Sequence, residues 1–390
     1  YTGILKPTNF EIFKETLENN GMGNQAEDFL MASGKLQVLC YKADIEAALR
    51  TPGFAGFQML QLHDFPGQGT ALVGILNAFF KSKGYVKPEE FRMFCNETVP
   101  LARMEKMIYR DGEQFKASIE IAHFGREPIK QATIISCVKD KNSIIRSDSI
   151  TIDELPVGNC IGVDTLSMEL PGFTRAQKLT LEVRIKNSDF VNRWDFWVYP
   201  SEIEPVAGDV HITEKIDDVT RSVLNNGGRV LLLTHGKVAH GRGAEVAVGF
   251  SSIFWNTAWT RGQAPHTLGI LCDPHHPVFN HFPTEYHSNY QWWDPVTHSQ
   301  AMKIDGFPET MKPLIQLIDT WFENRRLALA FEAKCGNGKL LVCSINLKDS
   351  LDSRPVTKQL LFSMLEYMKS ESFNPSESIE LHKIEELIRK

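Results

Sequence analysis

A single short stretch, residues 56–70, limits the fold of this chain more than any other. It begins as an apolar run of the length of a β-strand, ends in the polar pair His63 and Asp64, and continues into a loop with one proline and two glycines. A strand that ends in polar residues and a loop is typical of an α/β barrel, whose active site lies at the carboxyl ends of its strands. We therefore predict that residues 56–64 form the last strand of such a barrel.

The polar end of this run resembles a motif of known glycoside hydrolases. Gln61-Leu62-His63-Asp64 is similar to the Gln-Leu-Asn-Asp motif that closes the barrel of β-mannosidases and related members of glycoside hydrolase family 2. The continuation through residues 71–76 resembles a β-galactosidase-like subset of that family, typical of gut Bacteroidetes. The resemblance implies that Gln61, His63 and Asp64 line a sugar subsite. The alternative is that the His-Asp pair caps a strand end and holds the loop that follows.

The resemblance also sets an expectation about catalysis. A complete barrel needs about 250 residues, and this segment supplies one strand–helix unit. In the family that the chain resembles, the acid/base glutamate follows the fourth strand and the nucleophile follows the seventh. We therefore expect both catalytic carboxylates to lie upstream of Tyr1, and we assign no catalytic residue to this chain. The retaining mechanism needs two carboxylates about 5 Å apart, so we expect the chain alone to be inactive.

Three patterns of hydrophobic residues predict three domains. Residues 1–98 are mostly helical and include the barrel strand, whereas residues 99–205 alternate with period two and predict an immunoglobulin-like β-sandwich. Residues 206–390 alternate strands with helices, which predicts a doubly wound α/β domain. This last domain resembles the class I glutamine-amidotransferase-like domain appended to such glycosidases. Its charged tail, from about residue 370, is predicted to form a terminal helix or to be loose.

Helices are predicted where apolar residues recur at helical spacing between start and stop signals. The clearest signal is Thr8-Asn9-Phe10-Glu11, which fits a capping box. The predicted helices span residues 8–19, 25–50, 87–95, 217–226, 311–324 and 356–369.

The amidotransferase-like domain lacks the nucleophile of its family. Enzymes of that class use a cysteine on a sharp turn after a buried strand, activated by a histidine. After the predicted strand at residues 229–234 this chain has His235 and no cysteine. Cys335 lies in a predicted hairpin turn and Cys343 lies inside an apolar strand, so neither has the setting of a nucleophile. We predict a structural copy of the domain, and the same absence argues against an independent hydrolase built on it.

Residues 275–287 contain four histidines and Glu285, which are typical zinc-ligand types. Their spacing matches no helical zinc motif, and prolines within the stretch indicate irregular chain. A packed loop is the preferred interpretation, and no metal ligand is assigned.

Tryptophans are a second candidate for ligand contact, because aromatic rings stack on sugars. Trp255, Trp259, Trp292 and Trp293 are therefore a candidate carbohydrate-facing platform. The alternative is that they pack between domains, where large aromatic side chains contribute mainly buried area.

Composition limits the class of partner. The 42 basic and 48 acidic residues give no electrostatic reason to expect nucleic acid as a partner. No apolar run approaches the roughly 18–20 residues of a membrane span. The seven cysteines form no CxxC pair, which favours buried free thiols. We predict no cofactor.

The leading hypothesis is that the chain is the C-terminal portion of a β-glycoside hydrolase, and the alternative is a non-catalytic carbohydrate-binding or assembly protein. An unpaired barrel strand invites association with a second chain, so a homo-oligomer through that strand is also predicted. No signal peptide is visible and the chain opens at Tyr1, so its start carries no information about compartment. By resemblance, the expected location is the periplasm or the cell exterior.

Overall fold

The residues of this protein form two compact units in the computed structural model. The α/β unit comprises the described residues up to Leu36, Phe65, and the residues from Ile203 onwards. The two-sheet unit comprises Gln37–Asp64 and Val73–Glu202. The described residues are 6, 8–65, 73–141, 143–251 and 266–388.

The N-terminal helices follow their sequence signals. Helix α1 (Thr8–Asn19) ends where Gly21 adopts a left-handed φ of 69° and the amide of Met22 donates to the carbonyl of Leu17 at 2.8 Å. Helix α2 (Ala26–Leu49) follows. Neither α2 nor any other helix in the described part of the chain has the length and apolarity that a membrane span needs. One apolar cluster contains Leu17, Met22, Phe29, Ala32 and Ile318.

The predicted barrel strand is not formed. Residues 56–64 contain no strand. They form one isolated β-bridge, between His63 and Leu76, and the amide of Asp64 donates to the carbonyl of Leu76 at 2.9 Å. A strand needs a partner along its length, and this segment pairs only with the chain that returns after it. The prediction of a strand at residues 56–64 is therefore wrong, and the described residues contain no closed barrel.

The two-sheet unit continues with a short helix, α3 (Pro88–Arg92), and eight strands. The strands are β1 (Thr98–Met104), β2 (Ile108–Arg110), β3 (Gln114–His123), β4 (Ile129–Asp140), β5 (Ser143–Leu155), β6 (Gly158–Glu169), β7 (Gln177–Ile185) and β8 (Val191–Tyr199). One sheet has the order β1-β3-β6 and the other β2-β8-β7-β4-β5. Every pair is antiparallel except β2 with β8.

Side chains from both sheets of this unit form one core. Phe115 and Leu166 come from the three-stranded sheet, and Val138, Leu181 and Phe196 come from the five-stranded sheet. The rings of Phe115 and Phe196 stack with their centroids 4.5 Å apart. The period-two pattern of the sequence thus corresponds to a β-rich unit with a buried interior between two sheets, and its immunoglobulin-like topology stays a prediction.

The α/β unit contains one seven-stranded sheet with helices around it. Its remaining elements are β9 (Val210–Thr213), α4 (Asp218–Asn225), β10 (Arg229–Leu233), β11 (Ile270–Leu271), α5 (Trp293–Thr297), β12 (Met302–Lys303), β13 (Ile315–Leu317), β14 (Leu327–Cys335), β15 (Gly338–Cys343), α6 (Pro355–Lys369) and α7 (Leu381–Glu385). The strand order is β11-β13-β14-β15-β10-β9, and β12 also pairs with β14. Strand β10 pairs in parallel with β9 on one side and with β15 on the other. Strand β14 is antiparallel to β15, because a tight hairpin connects the two. The sheet is therefore mixed, with three parallel strands, and the doubly wound topology of this unit stays a prediction.

One further expectation for this unit is wrong. Residues 311–324 form no helix, because residues 315–317 are strand β13, which pairs with both β11 and β14.

Of the two alternatives for the charged tail, the structure has the terminal helix, α7. The tail is also packed: Phe373 and Ile384 are fully buried, and the amide of Ile379 donates to the carbonyl of Lys334 at 2.9 Å.

Candidate functional site

The carboxyl ends of three parallel strands lie side by side in the α/β unit. Leu232 of β10 is in register with Thr213 at the end of β9, and Leu233 is in register with Cys343 at the end of β15. In open α/β sheets, ligands bind in the crevice outside the carboxyl ends of the strands. This edge of the sheet is therefore where a site is expected.

A crevice of about 560 Å³ opens at this edge. Its volume falls within the range of about 300–1,000 Å³ that is typical of small-molecule sites. Half of its lining residues are aliphatic, and its charged residues come from the loops that follow the three strands. The lining residues are Ile212, Thr213, Glu214, Lys215, Leu233, Lys237, Leu347, Lys348, Leu351 and Leu361.

One carboxylate in this crevice joins two lysines. Oε2 of Glu214 accepts a hydrogen bond from Nζ of Lys237 at 2.8 Å, and Oε1 accepts one from Nζ of Lys348 at 2.7 Å. These hydrogen bonds, from Lys237 and then Lys348, lower the pKa of Glu214 to about 2. The glutamate is therefore ionised at neutral pH and acts as an acceptor, so it has no proton to donate to a reacting group.

Glu214 also predicts a pH dependence of stability. Its pKa is about 2 in the folded protein and about 4.3 in an unfolded chain, so its stabilising contribution is present above about pH 4.3 and is lost as the pH falls through about 2. We expect Glu214→Gln to lower the free energy of unfolding at neutral pH, and the difference from wild type to shrink towards pH 2. Urea unfolding at several pH values measures it, with the exposed Glu371→Gln as a control. A difference that is the same at every pH would contradict the expectation.

The turn after β10 lies at the carboxyl end of a buried strand and carries His235. Here Gly236 has a φ of 74°, and the amide of Lys237 donates to the carbonyl of Thr234 at 2.9 Å, so a tight turn is present. Its side chain at position 235 is a histidine. Burial lowers the pKa of His235, the carboxylate of Asp349 opposes this, and the neighbouring His298 and Arg354 reinforce it. The imidazole of His235 is therefore uncharged at neutral pH.

The two cysteines of this region are not activated. Cys343 is fully buried in β15, and burial raises its pKa to about 12. Burial also raises the pKa of Cys335. A nucleophilic cysteine needs the opposite shift, and the absence of a nucleophile from this unit stays a prediction.

An arginine anchors the loops on the same side of the sheet. Nε of Arg354 donates to both carboxylate oxygens of Asp294, at 2.9 and 3.0 Å, and its Nη1 atom donates to the carbonyl of Asn346 at 2.7 Å. The hydroxyl of Thr357 also donates to Asp294. This network joins α5, the loop after β15 and the first turn of α6, so it holds the loop that leads to Lys348.

The predicted sugar-binding residues of the other unit serve local structure. Oδ1 of Asp64 is buried and accepts from the amide of Gly74 at 3.0 Å and from Nζ of Lys83 at 2.8 Å. The ring of His63 stacks on Phe80 with centroids 4.1 Å apart. Gln61 is partly exposed nearby in the chain. These contacts hold the returning segment in place, as the structural alternative expects, and the sugar-binding role stays a prediction.

The histidine-rich loop is packed against its surroundings. Nδ1 of His276 accepts from the amide of Val278 at 3.2 Å, and the ring of His281 packs edge-on against Phe362. Asn289 donates to the carboxylate of Glu285. Across the described ranges, no group of three or more histidine, cysteine, aspartate or glutamate side chains is placed to hold a metal ion.

The four tryptophans of the predicted sugar platform do not lie in one common environment. Trp255 and Trp259 lie outside the described residues. Trp292 is fully buried, and its Nε1 atom donates to the hydroxyl of Thr284 at 2.9 Å, so its ring has no face open to a ligand. Trp293 is 64% exposed and stacks on Phe250. Of the described members, Trp293 alone remains a candidate for stacking on a sugar.

The crevice residues Glu214, Lys237 and Lys348 were not predicted. The available signal was weak: each follows the end of an apolar strand by one to five residues, as many surface charges do. Their convergence depends on the parallel pairing of three strands that are far apart in the sequence.

Two family models match parts of the chain. One, described as "Domain of unknown function (DUF8487)", matches residues 211–389, and another, "Domain of unknown function (DUF8488)", matches residues 113–200. The first lies within the α/β unit and the second within the two-sheet unit. No curated protein matches the chain.

Solved structures that resemble the chain include glycoside hydrolases. A β-glucuronidase from glycoside hydrolase family 2 shares 17% identity over 25% of this chain and 11% of its own, with a TM-score of 0.19. The β-glucuronidase of Parabacteroides merdae shares 13% over 36% of this chain and 22% of its own, with a TM-score of 0.21. The sporulation control protein Spo0M of Bacillus subtilis shares 14% over 28% of this chain and 51% of its own, with a TM-score of 0.20. The chain thus spans less than a quarter of these glucuronidases, and likenesses at this level are distant and carry no functional argument.

Proposed function

We propose that this chain is the C-terminal portion of a retaining glycoside hydrolase of the β-galactosidase-like kind, acting on a β-glycoside in the periplasm or outside the cell. The observation that carries the proposal is the run Gln61-Leu62-His63-Asp64, with its glycine-rich loop, ahead of the eight strands of the two-sheet unit and then the seven-stranded sheet of the α/β unit. The two catalytic carboxylates of the retaining mechanism would come from the preceding barrel strands.

Within that enzyme, this part of the chain would supply accessory structure. Asp64 is engaged by Gly74 and Lys83, and Glu214 is engaged by two lysines, so both carboxylates already have partners. The position of an amidotransferase nucleophile holds His235. The contacts of Glu214 and the presence of His235 support a non-catalytic role for the α/β unit. In the two-sheet unit, Gln61, His63 and Asp64 would lie at the rim of the sugar subsite.

Hydrolysis of a panel of aryl β-glycosides tests the proposal. We expect no turnover by the 390-residue chain and turnover by a form extended upstream through the barrel, because only the second form contains both carboxylates. In the extended form, replacing either catalytic glutamate with glutamine is expected to lower kcat by several orders of magnitude. Turnover by the 390-residue chain itself would contradict the proposal.

The alternative is a non-catalytic carbohydrate-binding or assembly protein, and the exposure of several apolar side chains favours it. The two-sheet unit exposes large apolar side chains between residues 54 and 80: Phe54, Phe57, Leu60, Leu62, Phe79 and Phe80. Where such side chains are contiguous, they mark contact surfaces. Two results together would favour the alternative. The extended form would be inactive on every glycoside, and the chain would self-associate in light scattering unless these apolar residues were replaced.

A further inference from the structure

The crevice at the carboxyl ends of β9, β10 and β15 combines an apolar wall with a charged mouth. Five aliphatic side chains form the wall, and three lysines and one glutamate bring charge to it. Small-molecule sites have this composition, with a few convergent polar groups on a mostly apolar lining. The aliphatic lining residues are Ile212, Leu233, Leu347, Leu351 and Leu361.

The charged groups of the crevice converge at its mouth. Lys237 and Lys348 lie on either side of Glu214, and the carboxylate of Asp217 lies 3.3 Å from Nζ of Lys215. The carboxylate of Asp349 also acts on Lys348. The two ammonium groups beside Glu214 form a cationic pair that an anionic group of a ligand can approach.

The two lysines have donors to spare. An ammonium group carries three N–H donors, and the contact to Glu214 uses one on each lysine. The side chains of Lys237 and Lys348 are 40% and 65% exposed, so both ammonium groups are accessible from the mouth of the crevice.

We propose that this crevice binds a small organic carboxylate. The carboxylate lies beside Nζ of Lys237 and Nζ of Lys348, and the apolar body of the ligand packs on the aliphatic wall. This inference goes beyond the proposed function and does not depend on it, because it rests on the α/β unit alone.

Calorimetric titration of the 390-residue chain tests the inference with 4-phenylbutyrate as the probe. The neutral 4-phenylbutyramide has the same shape without the charge, and inorganic phosphate has charge without an apolar body. We expect 4-phenylbutyrate to bind, and both other compounds to bind at least about tenfold more weakly, the equivalent of about 1.4 kcal/mol. The affinity for 4-phenylbutyrate is expected to fall as salt is added.

Three variants and a control test whether the ligand binds beside Lys237 and Lys348. Lys237→Met and Lys348→Met keep the apolar stem and remove the charge, so each is expected to weaken 4-phenylbutyrate binding by roughly three- to tenfold. Glu214→Gln removes the competing internal carboxylate and is expected to strengthen binding, although it lowers stability. Lys312→Met changes an exposed lysine outside the crevice and is expected to leave binding unchanged.

The lysine variants and Glu214→Gln are expected to change the affinity for 4-phenylbutyrate in opposite directions, which separates a ligand site from a structural ion pair. A purely structural triad predicts that all three crevice variants lower stability and that none strengthens binding. Equal affinity for 4-phenylbutyrate and its amide, or no detectable binding of either, would overturn the inference. Neither result bears on glycoside hydrolysis by an extended form, so the two proposals fail independently.

Discussion

Replacing Glu46 with alanine is expected to destabilise the two-sheet unit by about 3–5 kcal/mol. The carboxylate is 4% exposed and bonds Lys42; its Oε2 atom accepts from Nε1 of Trp194 at 2.9 Å, and its Oε1 atom accepts from Nδ2 of Asn192 at 2.8 Å. The variant leaves Nε1 of Trp194 without its acceptor, removes one of the two acceptors of Nδ2 of Asn192, and leaves the Lys42 ammonium buried without its carboxylate. Breaking a buried pair on one side is costly for this reason, although the intact pair itself contributes little net stability.

The expected loss at Glu46 is measured by urea unfolding, with hydrogen exchange of peptides from β1 and β8 reporting on this unit. Glu154→Ala is the matched control, because Glu154 is 45% exposed and pairs with Lys130, which is 70% exposed. Exposed pairs contribute about 0–1 kcal/mol. If both variants lower the free energy of unfolding equally, the buried Glu46 network contributes no more than an exposed ion pair.

Replacing Arg326 with alanine is expected to destabilise the α/β unit by about 3 kcal/mol or more. The arginine is 6% exposed, and its guanidinium donates to four backbone carbonyls in residues 307–311. The shortest of these bonds reaches the carbonyl of Met311 at 2.5 Å. Burial lowers the pKa of Arg326, yet the group stays charged because its ordinary pKa is far above neutrality.

Arg326→Lys is expected to recover part of the loss, because a single ammonium group cannot reach four carbonyls in the fork geometry of a guanidinium. Arg221→Ala is the control, since Arg221 is 44% exposed and pairs with Glu385 at the surface. Hydrogen exchange of the peptide that covers residues 304–311 locates the effect. Full protection of that peptide in Arg326→Ala would show that the loop is held by other contacts.

Both networks share a physical logic with the crevice. In each, a charged side chain gathers partners from segments far apart in the sequence, and each charge is matched by opposite charge or by carbonyl dipoles. The crevice differs because its two lysines are exposed beside an open cavity, which is why it is the place where a ligand is proposed. The two buried networks are closed by their own partners and stabilise the fold.

Local patterns carried the prediction of the helices that begin and end on strong signals. The helix before Asn19-Asn20-Gly21 stops where glycine permits a left-handed residue, and the helix after Asp217 begins where that side chain accepts from the amide of Thr220 at 3.0 Å. Period-two alternation likewise predicted the β-rich middle of the chain, because one face of each strand must reach a core.

Elements that depend on distant partners were not predictable in this way. Residues 56–64 have the length and apolarity of a strand, but no neighbouring strand pairs along them, whereas residues 315–317 lie in a helical pattern and become a strand between β11 and β14. Backbone pairing decides such segments, and a pairing partner is not visible in the local sequence.

The candidate site has the same origin. Residue types alone identified carboxylates, histidines, cysteines and tryptophans with chemical potential, and they established that no cysteine follows β10. The tertiary structure decided which of these groups meet: it buried Cys343 and Trp292, engaged Asp64, and brought Glu214, Lys237 and Lys348 together. The amino-acid sequence determines which chemical groups the chain carries. The register of the parallel strands determines which of these side chains share a crevice, because the end of each strand is positioned by neighbouring strands from other parts of the chain.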